Sequence, residues 1–180
     1  MPRNIEIKAR IDSVEAMLPR ARALADGEAE CIDQDDTFFR VPLGRLKLRE
    51  FADGSAELIH YHRPDLPEAR ASDYVRVPVA DAAALREALA RGCGVLGRVR
   101  KRRLMWRVGA TRVHLDRVEG LGDFIELEVV LHEAQSDDEG RAIAEQLMQR
   151  LGLGAALRLA GAYLDLATLG AEVEARRGVA

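Results

Sequence analysis

"RNIEIKAR", residues 3–10, is the stretch on which the fold turns. Extended, it puts Ile5 and Ile7 on one side and Asn4, Glu6 and Lys8 on the other, because successive side chains of a strand point to opposite faces. An acid and a base then share one face of the first strand. The same sorting recurs along the chain. In "RLKLR" Arg45, Lys47 and Arg49 oppose Leu46 and Leu48. In "RVHLD" Arg112, His114 and Asp116 oppose Val113 and Leu115, and in "IELEV" Glu126 and Glu128 oppose Ile125, Leu127 and Val129. "ELIHYHR" sorts less cleanly, with Glu57, Ile59, Tyr61 and Arg63 on one parity; in "RVRKRR" Lys101 and Arg103 share a parity while Arg100 and Arg102 are charged too.

One such strand would be ordinary, since antiparallel sheets often have a wet face. Several strands with cations two residues apart on the same face are different, because like charges that close repel unless an anion sits between them. The apolar sides supply a surface on which helices pack. The expected fold is therefore α+β: an eight-stranded antiparallel β-barrel, closed into a tunnel, with its charged side inward and helices packed on the apolar outer wall. A lumen of that kind calls for water, metal and a polyanion.

The remaining elements follow from local signals. Asp12 with Glu15 reads as a capping box opening a helix that runs to about Asp26-Gly27, with Pro19 a kink or early stop. "QDDTFFRVPLG", "GRLKLREF", "AELIHYHRP" and "DYVRVPV" are strands, the last two separated by a loop over 64–72. Asp81 caps a helix ending at Gly92, "GRVRKRRLMWRV" and "TRVHLDRV" form a hairpin about Gly109-Ala110, and "FIELEVVL" is a further strand. Ser136 with Glu139 opens a helix over 137–151, and a last helix is expected at about 155–169. Residues 1–170 read as a single domain, and 171–180 as a frayed tail.

Composition narrows the classes. The 180 residues are 48% hydrophobic and 32% charged with a net charge of -3, which fits a globular chain without a general affinity for nucleic acid. Two cysteines make no disulfide framework, and neither has a predictable basic neighbour to activate it. The N-terminus has no apolar signal region, and "LGLGAALRLAGAYLDLATLG" is interrupted by Arg158 and Asp165, so a cytoplasmic protein with no membrane partner is expected.

Cations at Lys47, Arg49, Arg63, Lys101 and Arg103 suit a chain of phosphates, with bidentate forks from arginine and point charges from lysine. Glu6, Glu126 and Glu128 would repel phosphate unless they hold a hard divalent cation that bridges to it. On this reading Glu6 holds metal while Lys8 touches phosphate or the reacting group. The histidines show no zinc spacing; His60 and His62 are expected outside the lumen and His114 inside it. Gly120 and Gly122 serve a turn, and Trp106 reads as packing.

The ordered set of motifs resembles the CYTH superfamily, named for class IV adenylyl cyclases and thiamine triphosphatases. Its opening signature is E-x-E-x-K, whose places are taken here by Asn4-Ile5-Glu6-Ile7-Lys8, and the resemblance continues through "GRLKLR", "YHRP", "VRKRR", "VHLDRVEGLGDF" and "ELE", with "AYLDL" near the end. The resemblance implies a tunnel of eight antiparallel strands and a Mg2+ or Mn2+ cofactor. It implies that Glu6, Glu126 and Glu128 are metal carboxylates, that Lys47, Arg49, Arg63, Lys101 and Arg103 bind triphosphate, that Lys8 lies at the reacting centre, and that Asp116 orders metal or basic residues. Arg45 and Arg112 join the cations by parity. Asn4 stands where the signature has its first Glu: its amide offers an oxygen to a metal but no charge, which puts a two-metal arrangement in question.

Two reactions suit such a tunnel. In one, the ribose 3′-hydroxyl of ATP attacks the α phosphorus and pyrophosphate leaves; in the other, water attacks the terminal phosphorus of tripolyphosphate, a nucleoside triphosphate or thiamine triphosphate. "GLGDF" followed by an acid resembles the class IV cyclases, which makes the cyclase the preferred reaction, the triphosphatase its alternative and a non-catalytic polyphosphate or nucleotide binder a third. The expected partner is a small molecule carrying a triphosphate. Nucleic acid is not expected, since the cations of "RVRKRR" alternate with apolar residues and no aromatic platform adjoins them. A homodimer is compatible with exposed apolar helix faces.

Overall fold

A computed structural model describes residues 3–62, 70–154, 158–159 and 162–166. Its strands are β1 (Arg3–Arg10), β2 (Glu30–Phe39), β3 (Arg45–Phe51), β4 (Ala56–His62), β5 (Arg70–Pro78), β6 (Val95–Val108), β7 (Thr111–Val118) and β8 (Gly122–Leu131); its helices are α1 (Val14–Leu24), α2 (Ala82–Cys93) and α3 (Asp137–Arg150). Every strand pairing is antiparallel, and the pairings run in a ring, β1-β5-β4-β3-β2-β6-β7-β8, with β8 returning to β1.

The outer wall is the apolar one. Ile5, Ile7, Val113, Leu115, Ile125, Leu127 and Val129 are buried in one cluster with Met17 and Ala21 of α1 and Ala144, Leu147 and Met148 of α3. Burying each large aliphatic side chain of this kind contributes about 1.5–3 kcal/mol, which is what holds the helices to the sheet. α3 comes close because Gly140 has no side chain there: a Cβ would lie 2.6 Å from Ile5 Cγ1. A second cluster puts Phe39 and Leu48 under Leu85 and Leu89 of α2. The alternation that placed charge inward thus also supplies the helices with their seat.

Local signals differ from expectation in a few places. Ser13, not Asp12, caps α1, its hydroxyl accepting from the Ala16 N–H at 3.1 Å. Pro19 sits inside α1 without ending it, and α1 stops at Leu24 rather than near Gly27. β2 begins at Glu30, ahead of "QDDTFF", and β6 begins at Val95, ahead of "GRVRKRR". The Asp81 cap and the Ser136–Glu139 capping box stand as expected. Of the helix expected near 155–169, residues 163–166 form one turn, while residues 158, 159 and 162 are not helical and Arg158 instead bridges to Ala9. β5 begins at Arg70, inside the expected 64–72 loop. The remaining residues of that helix and loop, Arg63 and the tail over 171–180 lie outside the described residues.

The lumen is not charged along its whole length. Phe38, Val99, Val118 and Phe124 share the inward parity, and they form a third buried cluster with Tyr163 and Leu164 of the C-terminal segment. Where β2 and β7 end and β8 begins, the barrel is stoppered by apolar and aromatic groups.

Candidate active site

Two strands carry the cations and two others supply the acids that hold them. On β3, Lys47 and Arg49 point inward together, and Asp36 of the neighbouring β2 receives both: Lys47 Nζ donates at 2.8 Å and Arg49 donates through Nε and Nη2 at 2.7 Å each. On β6, Lys101 and Arg103 repeat the arrangement against Asp116 of β7. Arg103 donates through Nε and Nη2 at 2.6 Å each, Lys101 at 3.3 Å, and the Tyr163 hydroxyl adds a fourth bond at 2.8 Å. Both aspartates lie directly opposite their arginine in strand register.

The third wall is acidic. Glu6 faces Glu128 across β1 and β8, and Lys8 faces Glu126. Glu126 receives Arg103 Nη2 at 2.8 Å and lies 3.3 Å from Lys8 Nζ. Glu128 receives Arg112 Nη1 at 3.0 Å and the Asn4 amide. His114 stands between the two glutamates, with Nδ1 3.6 Å from Glu126 and Nε2 3.9 Å from Glu128.

Burial and close charges move the ionisation of these groups. Burial works against the Lys47 ammonium and the Arg49 charge adds repulsion, bringing Lys47 down to about 8. Burial and Arg103 bring Lys101 to about 7. For Asp36, Asp116 and Glu126 burial alone would favour the neutral acid, but the adjacent cations outweigh it and hold all three below the usual carboxylate range. Burial, then Arg103, lowers His114, while burial and the Asp116 charge raise the Tyr163 phenol.

A cavity of about 620 Å³ runs through this constellation. Glu6, Lys8, Lys47, Arg49, Lys101, Arg103, Arg112, Glu126, Glu128 and Asn4 line it, so most of the residues singled out in the sequence converge on one space. Asp116 is fully buried behind Arg103 and Tyr163 and is not part of the lining. Arg45 is not part of it either; its guanidinium bonds Asp165 at 2.9 Å. Trp106 is buried in the outer core, His60 is exposed, and His114 lines the cavity.

Two residues that bond the lumenal constellation were not singled out in the sequence. Asp36 sits in "QDDTFF", where the adjacent Asp35 and Asp36 blur the parity; Asp35 faces outward and pairs with Arg98 at 2.6 Å. The structure resolves the ambiguity: Asp36 shares its parity with the buried Gln34 and Phe38. Tyr163 lies in a short turn remote in sequence from every strand; no periodicity marks it, and its one signal was the "AYLDL" stretch of the family resemblance.

Among the described residues, no three His, Cys, Asp or Glu side chains form a group that could hold a metal ion. The donor types present nevertheless suit a hard divalent cation: Glu6 and Glu128 lie side by side, and Asn4 Oδ1 is buried with no hydrogen-bond partner among the described residues.

A family model described as the CYTH domain matches residues 2–163. The chain belongs to the CYTH family. Adenylate cyclase CyaB of Aeromonas hydrophila is 30% identical over 164 residues, covering 84% of this chain and 82% of that protein. Among solved structures, PH1012 from Pyrococcus horikoshii OT3 superposes with a TM-score of 0.81 at 26% identity, covering 91% of this chain and 98% of that one. HpAC1 from Hippeastrum, named as having a dominant triphosphatase activity, superposes with a TM-score of 0.62 at 19% identity over 85% of this chain and 89% of its own. That last likeness is one of fold.

Proposed function

We propose that this CYTH protein is a divalent-metal-dependent enzyme of triphosphate chemistry, and that its reaction is that of a class IV adenylyl cyclase, ATP to cyclic AMP and pyrophosphate. The observation that carries the reading is the convergence of Lys8, Lys47, Arg49, Lys101 and Arg103 with Glu6, Glu126 and Glu128 on one cavity. Its volume of about 620 Å³ falls within the roughly 300–1,000 Å³ of small-molecule sites and leaves room for more than three phosphates. Tyr61 and Tyr74, paired across β4 and β5 and both on the lining, offer aromatic surface to an organic group. The Aeromonas relative and the "GLGDF" turn favour cyclisation over hydrolysis.

On this reading the Lys-x-Arg pairs of β3 and β6 bind the polyphosphate, with Arg112 on the lining and, as the family resemblance implies, Arg63 adding charge. The bond from the ribose 3′-oxygen to the α phosphorus forms, the α-phosphorus–oxygen bond to the leaving pyrophosphate breaks, and the hydroxyl proton leaves to solvent through the cavity. Lys8 lies beside the reacting phosphoryl group. Glu6, Glu128 and Asn4 would hold a divalent ion, Mg2+ or Mn2+, which when bound neutralises charge on phosphate oxygens.

The second reading is hydrolysis, favoured by the triphosphatase activity of the Hippeastrum relative and by cations that serve either attack equally. The test is a product assay with ATP, tripolyphosphate and thiamine triphosphate, each with Mg2+ or Mn2+. Cyclic AMP with pyrophosphate is the expected result. Orthophosphate release would replace the cyclase with the hydrolase, and tight binding with no turnover would leave a binder.

A further inference from the structure

We propose that Tyr163 is a positioning residue of this site, and that the C-terminal segment carrying it docks as part of the polyphosphate cradle, so that docking and polyphosphate binding are coupled. The inference rests on the triphosphate reading above. Lys8 Nζ lies 3.9 Å from the centroid of the Tyr163 ring and Lys101 Nζ 5.0 Å from it. Those lysines belong to β1 and β6, which β7 and β8 separate in the ring of strands. One aromatic ring therefore braces two cations from strands that do not pair, and its π system favours both in a buried setting. The hydroxyl is committed to Asp116, the same carboxylate that fixes Arg103 and Lys101. Phe124 backs the ring, centroid to centroid at 4.9 Å.

The segment has a built seat. The Leu159 N–H donates to the Lys8 carbonyl at 2.9 Å, Ala9 bridges to Arg158, and Arg45 holds Asp165. Gly97 on the inward parity of β6 leaves room for Leu164; a Cβ at that position would collide with Leu164 Cδ1. Because Tyr163 touches Lys8 and Lys101, anything that orders those ammonium groups stabilises the docked segment, and the docked segment strengthens binding by the same factor.

The test is calorimetric binding of tripolyphosphate with Mg2+, alongside hydrogen exchange of the peptide running through Arg158 to Leu166. Tyr163→Leu is expected to weaken tripolyphosphate about tenfold and Tyr163→Phe about two- to threefold. Gly97→Val replaces neither Tyr163 nor any lumenal cation and sets its branched side chain against Leu164, and it is expected to weaken binding in the same direction. In the unaltered protein, exchange of the segment is expected to slow when tripolyphosphate is added. Unchanged affinity in Tyr163→Leu and Gly97→Val, even with a lowered thermal midpoint, would make the segment a mere stopper and overturn the inference, as would exchange indifferent to tripolyphosphate. If the unaltered protein binds neither tripolyphosphate nor ATP, the triphosphate reading fails and takes this one with it.

Discussion

The barrel makes the same device twice. Lys47-Leu48-Arg49 with Asp36 and Lys101-Arg102-Arg103 with Asp116 each set a Lys-x-Arg pair on one strand against an aspartate directly opposite on the next. They differ in what lies behind them. Asp36, Lys47 and Arg49 are 4%, 13% and 13% exposed at the side chain, while Asp116, Lys101 and Arg103 are at 0%, 5% and 8%. The second set is closed over by Tyr163 and tied to Glu126 as well. Strand alternation alone makes the ion pairs; a segment far along the chain decides which of them is sealed from water.

Sealing should set how much each aspartate matters. Removing one member of a buried pair leaves its partners uncompensated, a loss of about 3–5 kcal/mol when water cannot reach them. Asp116→Ala is expected to fall in that range by denaturant unfolding. Asp36→Ala is expected to lose about 1–3 kcal/mol, because water can reach Lys47 and Arg49. Equal losses, or a larger one at Asp36, would mean that closure by Tyr163 has no energetic consequence.

How far the sequence shows this follows from the range of each signal. Inward and outward faces were legible because alternation has a period of two and repeats in "RLKLR", "RVHLD" and "IELEV". The eight strands and the outer apolar wall followed from it. Asp36 was hidden because two adjacent acids carry no parity. The bracing of Lys8 and Lys101 by one ring was hidden because it joins residues 8, 101 and 163 through tertiary packing alone. The sequence reading asked the lumen for metal and polyanion to satisfy its charges; in the structure Asp36 and Asp116 already answer much of the cationic demand.

The more open pair should also respond to pH. Lys47 is held at about 8 in the folded protein, below the roughly 10.4 of an unfolded lysine. Between those values the native state has released its proton and the unfolded state keeps it, so this group makes stability rise with pH across that window. Polyphosphate binding has the opposite dependence, since it needs the ammonium. Tripolyphosphate affinity is expected to fall as pH rises above about 7, where Lys101 discharges, and more steeply above about 8, where Lys47 follows, by at most about tenfold per pH unit for each lysine, with proton uptake on binding seen as a buffer-dependent enthalpy. In Lys47→Met the uptake at pH 8–9 should drop to the share of Lys101 alone. An undiminished uptake would leave the sealed pair as the titrating group.

Asn4 probes the acidic wall between the pairs. Asn4→Glu puts a third carboxylate next to Glu6 and Glu128 and removes the amide donor from Glu128. In metal-free buffer the thermal midpoint is expected to fall by about 2–4 °C, for a loss near 1 kcal/mol, and to recover on adding Mg2+ or Mn2+. Activity should then saturate at lower metal concentration than in the unaltered protein. A metal titration identical to that of the unaltered protein would exclude Asn4 as the feature limiting metal binding.

The smallest effect is expected at Arg45, on the open strand but joined to the sealing segment. Its parity placed it among the phosphate cations, yet it pairs with Asp165 and lies off the cavity lining. The pair is half-exposed, at 20% and 36% for the two side chains, so its loss should cost no more than about 1 kcal/mol. Two substitutions separate anchor from phosphate ligand. If Arg45 anchors the segment, Arg45→Gln and Asp165→Asn remove the same link, and both should weaken tripolyphosphate by the same small factor, about two- to fourfold. If Arg45 binds phosphate directly, Arg45→Gln should weaken binding while Asp165→Asn, which releases the guanidinium from its carboxylate and keeps the oxygen that accepts from the Ala162 N–H, should strengthen it. Opposite signs in the two variants would return Arg45 to the phosphate site and leave Tyr163 and Leu164 to hold the segment against the barrel.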